Sequence, residues 1–248
     1  MNIAIIPARG GSKRIPHKNI KEFGGKPMIA WSIKAALESS IFDRIVVSTD
    51  DPRIAEISRK VGAEVPFMRP AELSDDHTTT IPVIRHAIDQ LDLNPENICC
   101  IYATAPLLQA HFIRKGLDIL SNCKNDGFAF SATTFPFPIQ RGFYQFEDKI
   151  QMAFPEHAAT RSQDLPIAYH DAGQFYWGTE GAWKTHNSVF TRESKAVIIP
   201  RHLAQDIDDD DDWVIAEKLF QRKISAESIN KSSSKVGSKD EFGTHQNS

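Results

Sequence analysis

Ile3-Ala4-Ile5-Ile6-Pro7, running directly into Ala8-Arg9-Gly10-Gly11-Ser12-Lys13-Arg14-Ile15-Pro16-His17-Lys18-Asn19, is the stretch that decides the fold. Its first part is short, apolar and rich in β-branched residues, the pattern of a strand buried on both faces of a parallel sheet. Its second part is a loop with adjacent glycines and clustered cations. Glycine lets backbone N–H groups approach an anion, while Lys and Arg supply the opposing charge. From Arg9 to Lys26 the cations are Arg9, Lys13, Arg14, Lys18, Lys21 and Lys26, against the single acid Glu22. A polyphosphate-binding loop, Ala8 to Lys13, is therefore expected at the carboxyl end of a first strand. It has neither the GxxxxGK[ST] spacing nor GxGxxG. The competing reading is a basic surface loop. The strand ahead of it and Lys18-Asn19 behind it favour a ligand loop.

Outward from this stretch, strand-like and helix-like segments alternate. A helix is expected from about Pro27 to Glu38, with Pro27 suited to a first turn. Arg44–Thr49 reads as a second strand, and Asp50-Asp51-Pro52 as the start of a helix to about Lys60. Further helices are expected at Thr79–Leu91 and Ala110–Leu120, and strands at Ile98–Thr104 and Gly127–Thr133. This order implies an α/β fold with a mostly parallel central sheet covered on both faces. Ligands of such sheets bind at the carboxyl ends of strands, where Arg9–Lys13, Asp50 and Thr104 fall. Beyond Thr134 the pattern breaks at Phe135-Pro136-Phe137-Pro138. An insertion used in substrate binding or dimerisation is expected at about 136–171, followed by short strands at Gln174–Trp177 and Ala196–Ile199. A last helix is expected at about Asp211–Gln221. The main domain is read as 1–224, and 225–248, rich in Ser, Lys, Gly and Asn, as a disordered tail.

Three further blocks carry candidate chemistry. Arg69 to Thr80 places a cation and several hydroxyls before a helix. Helix capping explains one threonine but not Arg69, so Arg69 and Thr80 are candidate nucleotide contacts. Arg161-Ser162-Gln163-Asp164 and Tyr169-His170-Asp171-Ala172-Gly173-Gln174 offer the cation and hydrogen-bonding groups that a hydroxylated acidic sugar needs. Phe175 and Trp177 read as core. Asp206 and Asp208 flank Ile207; at i and i+2 on extended chain they point to one side and can share a hard cation. Asp209 to Asp212 read as acids at a helix start.

Composition narrows the options. A net charge of −3, with the cations gathered near one end, disfavours general nucleic-acid binding and suits a small anionic ligand. Cys99 and Cys100 are adjacent in an apolar stretch without nearby Cys or His, so they read as buried reduced thiols on opposite faces of a strand. No membrane span or secretory signal is visible, and a cytoplasmic protein is expected.

The four blocks, in this order, resemble the CMP-sugar synthetases, cytidylyltransferases that activate nine-carbon acidic sugars such as sialic acid. The likeness covers nearly all of residues 1–222 and is strongest at Ile6–Lys13 with Lys18-Asn19, at Arg69-Pro70-Ala71-Glu72-Leu73 and at Asp206-Ile207-Asp208. It implies a Rossmann-like nucleotidyltransferase fold, a homodimer, CTP as donor and Mg2+ as cofactor. It also implies that Ala8, Arg9, Gly10, Gly11, Ser12, Lys13, Lys18 and Asn19 hold the CTP phosphates and ribose, completed by Arg69 and Thr80. Asp206 and Asp208 would bind metal, and Lys18, Arg9 and Asp208 would act on the transferred phosphate. Within the family the chain is most similar to members that activate pseudaminic acid. Sialic acid members carry Gln-Pro-Thr-Ser-Pro where this chain has Tyr102–Pro106, and Arg-Pro-Asn-Gly where it has His170–Gly173. The candidate sugar contacts are Tyr102, Thr104, Gln140, Arg161, Gln163, Tyr169, His170, Asp171 and Gln174. Legionaminic or sialic acid as acceptor, or a nonenzymatic nucleotide-binding module, are the alternatives.

Overall fold

The computed structural model describes residues 1–123 and 127–236. Its elements are β1 (Asn2–Pro7), the two-residue strands β2 (Glu22–Phe23) and β3 (Lys26–Pro27), α1 (Met28–Ser39), β4 (Arg44–Ser48), α2 (Pro52–Lys60), α3 (Thr80–Leu91), β5 (Asn97–Ile101) and α4 (Ala110–Leu120). They continue with β6 (Ala129–Thr134), β7 (Phe143–Phe146), β8 (Lys149–Met152), β9 (Tyr169–Thr179), α5 (Glu180–Thr185), β10 (Lys195–Ile198) and α6 (Asp210–Val236).

The main sheet has the order β10-β6-β9-β5-β1-β4. β1 lies parallel to β4 and β5, and β10 parallel to β6. β9 runs antiparallel to both β5 and β6, so the sheet is mostly parallel with one reversed strand. The first half follows the expected alternation closely. Asp51 caps α2 by accepting the Arg53 N–H at 2.8 Å, with Pro52 in the first turn.

β1 buries Ile3 to Ile6 completely, as its apolar run requires. Alternate side chains of the sheet enter different cores. Ala4, Ile6, Val47, Cys99 and Trp177 pack with α1, α2 and α4, whereas Ile3, Ile5, Val46, Cys100 and Tyr176 pack with α3 and α5. Cys99 and Cys100 thus sit on opposite faces as free buried thiols. A third core joins the loop after β1 to α6 through Ile15, Phe23, Ile207, Trp213 and Phe220.

Three elements differ from expectation. The segment expected as a short strand at Gln174–Trp177 is the middle of β9, which begins at Tyr169. Its polar, half-exposed first residues hide the alternation. A bulge opposite Phe130–Ala132 interrupts its register, Gly173 takes φ +60°, and the Ser131 hydroxyl accepts the N–H groups of Gln174 and Phe175. The strand expected to reach Thr104 leaves the sheet after Ile101. The disordered tail expected from Ser225 is corrected as well, because α6 is helical through Val236. A helix anchored by a packed first half can propagate into polar sequence, since each added residue costs little once the nucleus exists. Residues 237–248 of that tail lie outside the described residues. Among the described residues no helix is long and apolar enough to cross a membrane.

Candidate active site

Parallel pairing sends the loops after β1, β4 and β5 to one end of the sheet, and the reversal of β9 brings its first residues to that same end. The loop after β1 is held by side chains rather than by ladder bonds. Gly10 donates its N–H to Asp50 Oδ1 at 2.9 Å, and Asn19 Nδ2 donates to the Arg9 carbonyl at 2.9 Å. A Cβ at Gly10 would come within 2.9 Å of the Asp51 side chain, so the loop requires glycine there. Gly11 is open on that side, and Ala8 is buried beneath the loop. The Arg9 guanidinium reaches Asp76 at 2.8 Å and the Asp75 carbonyl, and Lys13 meets the other Asp76 oxygen at 2.5 Å. Lys13, then Arg9, hold the Asp76 carboxyl below its ordinary range. The two leading cations of the loop therefore converge on one anion, which is the geometry a phosphate group also demands.

Arg69 stands just behind them. Its backbone N–H donates to the Thr49 carbonyl at 2.8 Å, its Nε donates to Ser74 at 3.1 Å, and its Nη2 lies 3.8 Å from Asp50. The side chain is 3% exposed, yet Nη2 has no hydrogen-bond partner among the described residues. Burial lowers its pKa, against the attraction of Asp50. An unsatisfied buried donor on a cation is costly unless a ligand completes it.

Thr80 and Tyr102 share a hydrogen bond of 2.8 Å. The Tyr102 ring lies 5.2 Å from that of Tyr176, whose hydroxyl donates to Asp171 Oδ2 at 2.5 Å. The other Asp171 oxygen accepts the Gly173 N–H at 2.9 Å, so the bulge fixes this carboxylate. Burial pushes the Tyr102 phenol up to about 12 and raises that of Tyr176 further. Both are neutral hydrogen-bonding groups at physiological pH. Thr80, Tyr102, Asp171, Tyr176 and Phe190 line a pocket of about 280 Å3.

The acid pair lies on the third core. Ile207 is fully buried, and its carbonyl accepts Lys18 Nζ at 2.5 Å. Lys18 Nζ is also 3.7 Å from Asp208, which Arg14 approaches at 2.9 Å. Asp212 accepts the Asp208 N–H at 3.0 Å and so ties the pair to the start of α6. Burial first, then the charge of Asp208, raises the Asp206 pKa, while Lys18 opposes the shift. A carboxylate pair whose mutual repulsion raises a pKa suits a divalent cation. Among the described residues no group of three or more acidic, His or Cys ligands gathers. A divalent cation can be held by one or two carboxylates, with substrate phosphate and water completing its shell. Asp206, Asp208, Asp171, His170, Arg201 and Arg222 line a cleft of about 670 Å3.

The structure thus joins Arg9 and Lys13 at Asp76, Asn19 to the Arg9 carbonyl and Lys18 to Asp208, and it places Thr80 and Tyr102 in one pocket with Asp171. Ser12 is half-buried within the same loop, and Thr104 is half-buried after β5. Other candidates are placed differently. Gln174 is 2% exposed and donates to the Leu203 carbonyl, and Gln140 is buried and donates to the Pro166 carbonyl at 3.1 Å. Arg161 pairs with Asp164 in its own turn at 2.6 Å, and Gln163 and Tyr169 are exposed. None of these five lines the cleft or the smaller pocket. Asp50, Asp76, Tyr176, Arg201 and Arg222 are the groups that sequence reasoning did not assign. Asp50, directly after a strand, Asp76, inside the Arg69–Thr80 block, and Tyr176, in the expected strand Gln174–Trp177, carried a local signal.

Comparison with known proteins finds similar sequences and a similar fold. The cytidylyltransferase family model matches residues 3–209. The chain is 46% identical over 231 residues to the pseudaminic acid cytidylyltransferase of Campylobacter jejuni subsp. jejuni serotype O:23/36 (strain 81-176), covering 92% of this chain and 98% of that protein. It is 30% identical to the CMP-N,N'-diacetyllegionaminic acid synthase of Legionella pneumophila, over 88% of this chain and 96% of that one. Among solved structures, a CMP:2-keto-3-deoxy-manno-octonic acid synthetase complexed with CTP has the same fold, with a TM-score of 0.65 at 14% identity over 90% of this chain and 99% of that one.

Proposed function

The chain belongs to the cytidylyltransferase family, and from that premise we propose that it transfers CMP from CTP to the anomeric hydroxyl of pseudaminic acid, giving CMP-pseudaminic acid and pyrophosphate. The observation that carries the reaction type is the Lys18 ammonium, 2.5 Å from the Ile207 carbonyl and 3.7 Å from Asp208. With Arg14, 2.9 Å from Asp208, this cation joins the segment of the glycine loop to the acid pair, which would set a phosphate held by the loop against the carboxylates. The acceptor is supported by the name of the Campylobacter relative, similar along nearly its whole length.

In this reading the sugar's anomeric oxygen attacks the α-phosphorus of CTP, the bond to the β-phosphate oxygen breaks, pyrophosphate leaves and the hydroxyl proton is released. Two anions must meet, so the obstacle is repulsion and alignment. Lys18 compensates charge on the α-phosphate, and Arg9, Ser12 and Lys13 orient the departing pyrophosphate. Arg69 would offer the nucleotide its Nη2, which has no hydrogen-bond partner among the described residues, and Thr80 its hydroxyl. Asp206 and Asp208 would hold Mg2+, which when bound supplies further positive charge at the reacting phosphate. The Tyr102 phenol, and Asp171 as a carboxylate fixed by Tyr176 and the Gly173 N–H, offer hydrogen bonds to the hydroxyls and amides of the sugar.

The reading extends to assembly and compartment. β7 and β8 form a separate hairpin carrying Phe143, Tyr144, Phe146 and Ile150, each more than half exposed. Such a patch is the surface we assign to pairing of two copies. A reaction that consumes CTP draws on the cytoplasmic nucleotide pool, and we place it there.

Pyrophosphate release with CTP and Mg2+, compared for pseudaminic, legionaminic and N-acetylneuraminic acids, tests the proposal. The expected result is turnover selective for pseudaminic acid. Preference for another of these sugars would overturn the acceptor, and CTP binding without turnover of any would favour a nonenzymatic module.

A further inference from the structure

Two acids stand beside the glycine loop, and they do different things. Asp50 accepts the Gly10 backbone N–H and so shapes the turn. Asp76 is held by the tips of the loop's two leading cations. Its Oδ1 lies 2.8 Å from Arg9 Nη1 and its Oδ2 lies 2.5 Å from Lys13 Nζ. The Asp75 carbonyl accepts from the same Arg9 nitrogen. These nitrogens are the donors that a phosphate group on this loop must meet.

The segment that carries Asp76 is free to shift as a unit. It is fixed at one end by Arg69, whose N–H donates to the Thr49 carbonyl, and at the other by Thr80, bonded to Tyr102. Between them its bonds are internal. Asp75 Oδ1 accepts the N–H groups of His77 at 3.0 Å and Thr78 at 2.7 Å, and the Thr78 hydroxyl lies 2.7 Å from that oxygen and 3.2 Å from the Glu72 carbonyl. A displacement of the segment leaves all of these intact and breaks only the contacts to Arg9 and Lys13. Lys13 is 81% exposed and Asp76 35%, so water screens their pairing and separating them costs little.

Charge gives the segment a reason to shift. Arg9 and Arg69 are close enough that the charge of Arg9 adds to the lowering of the Arg69 pKa, and Asp76 offsets this crowding of cations. A triphosphate arriving at the same cations sets several more negative charges against the Asp76 carboxylate, and like charges in contact are unfavourable. One anion has to give way. We propose that Asp76 is an internal competitor for the β- and γ-phosphates of CTP, holding Arg9 and Lys13 in place until the triphosphate displaces it. Asp76 thereby sets the affinity for CTP and, by returning to the same cations, eases the departure of pyrophosphate. The inference rests on the reading of this loop as the CTP phosphate site.

Calorimetry of the full chain without Mg2+ tests it, with CTP, CMP and inorganic pyrophosphate as ligands for wild type, Asp76→Asn and Asp76→Ala. Removal of a solvent-screened competing ion pair predicts CTP and pyrophosphate binding about three- to tenfold tighter in both variants. CMP lacks the competing phosphates and should bind all three proteins alike. A damaged site weakens binding, so a gain in affinity separates competition from a structural role. Equal or weaker CTP binding by either variant would overturn the proposal, and so would a gain for CMP as large as that for CTP. If CTP binds none of the three proteins, the nucleotide reading fails separately and pyrophosphate decides. Tighter pyrophosphate binding by the variants then supports the competition, and equal, weaker or absent binding refutes it.

Discussion

At the scale of single residues, Asp206 illustrates a site that trades stability for chemistry. Burial and the neighbouring Asp208 raise its pKa, so the folded state binds this proton more tightly than the unfolded state does. Stability then falls as pH rises from the ordinary carboxyl range through the raised value, and the ionised form carries that cost at pH 7. Asp206→Asn mimics the neutral form. The expected outcome in EDTA at pH 7 is a higher melting temperature together with loss of Mg2+-dependent turnover. Melts repeated at falling pH should show the difference between the two proteins closing as Asp206 becomes protonated. A variant melting at or below wild type at pH 7 would show that the pair is not strained. The pair itself was readable in the sequence, because i, i+2 spacing on extended chain fixes a shared direction. Arg201 and Arg222 were not, since they come from a turn and a helix whose approach only the folded chain defines. Gln174 and Gln140 carry the opposite lesson, because their amides look like sugar-binding groups but are buried away from the cleft, their nitrogens donating to the carbonyls of Leu203 and Pro166.

At the scale of elements, α6 is the support for the acid pair. It is seated by Phe220, which stacks edge-on against Phe23 and Trp31 at 5.2 and 4.6 Å. Gly24, at φ +55°, lies against that ring, and a Cβ there would overlap it. Gly25, at φ +79°, faces open space. Gly24→Ala should therefore cost about 2–4 kcal/mol from overpacking and backbone strain together. Gly25→Ala should cost only the strain, about 1 kcal/mol. Denaturant melts of both variants measure the difference, and equal costs would show that Phe220 moves freely and that α6 is loosely seated. The sequence revealed β1, β4, α1, α2 and α4 well, because their periodicity is strong and caps or prolines punctuate them. It hid the extent of β9, where polar residues at the front of the strand face the site. It also hid the last turns of α6, because the loss of hydrophobic periodicity in the sequence does not by itself end a helix.

At the scale of the whole molecule, one reversed strand builds the site from two directions. The parallel strands deliver the glycine loop, Asp50 and Tyr102 to one end, and β9 delivers His170 and Asp171 to the same end by running the other way. The apolar hairpin stands apart from this sheet. Replacing Phe143 and Phe146 with Ser should convert a dimer into a monomer in sedimentation velocity, and an unchanged assembly would remove the hairpin from the interface.

The central claim is that the glycine loop, Lys18 and the acid pair form one metal-dependent centre for CMP transfer. The most direct measurement is pyrophosphate release as Mg2+ is titrated, with CTP and pseudaminic acid saturating, for wild type beside Asp208→Ala, and with CTP binding measured on both proteins. The account predicts saturable Mg2+-dependent release by wild type, and CTP binding but no measurable release by Asp208→Ala. Comparable release by the variant, or release by wild type that ignores Mg2+, would contradict it.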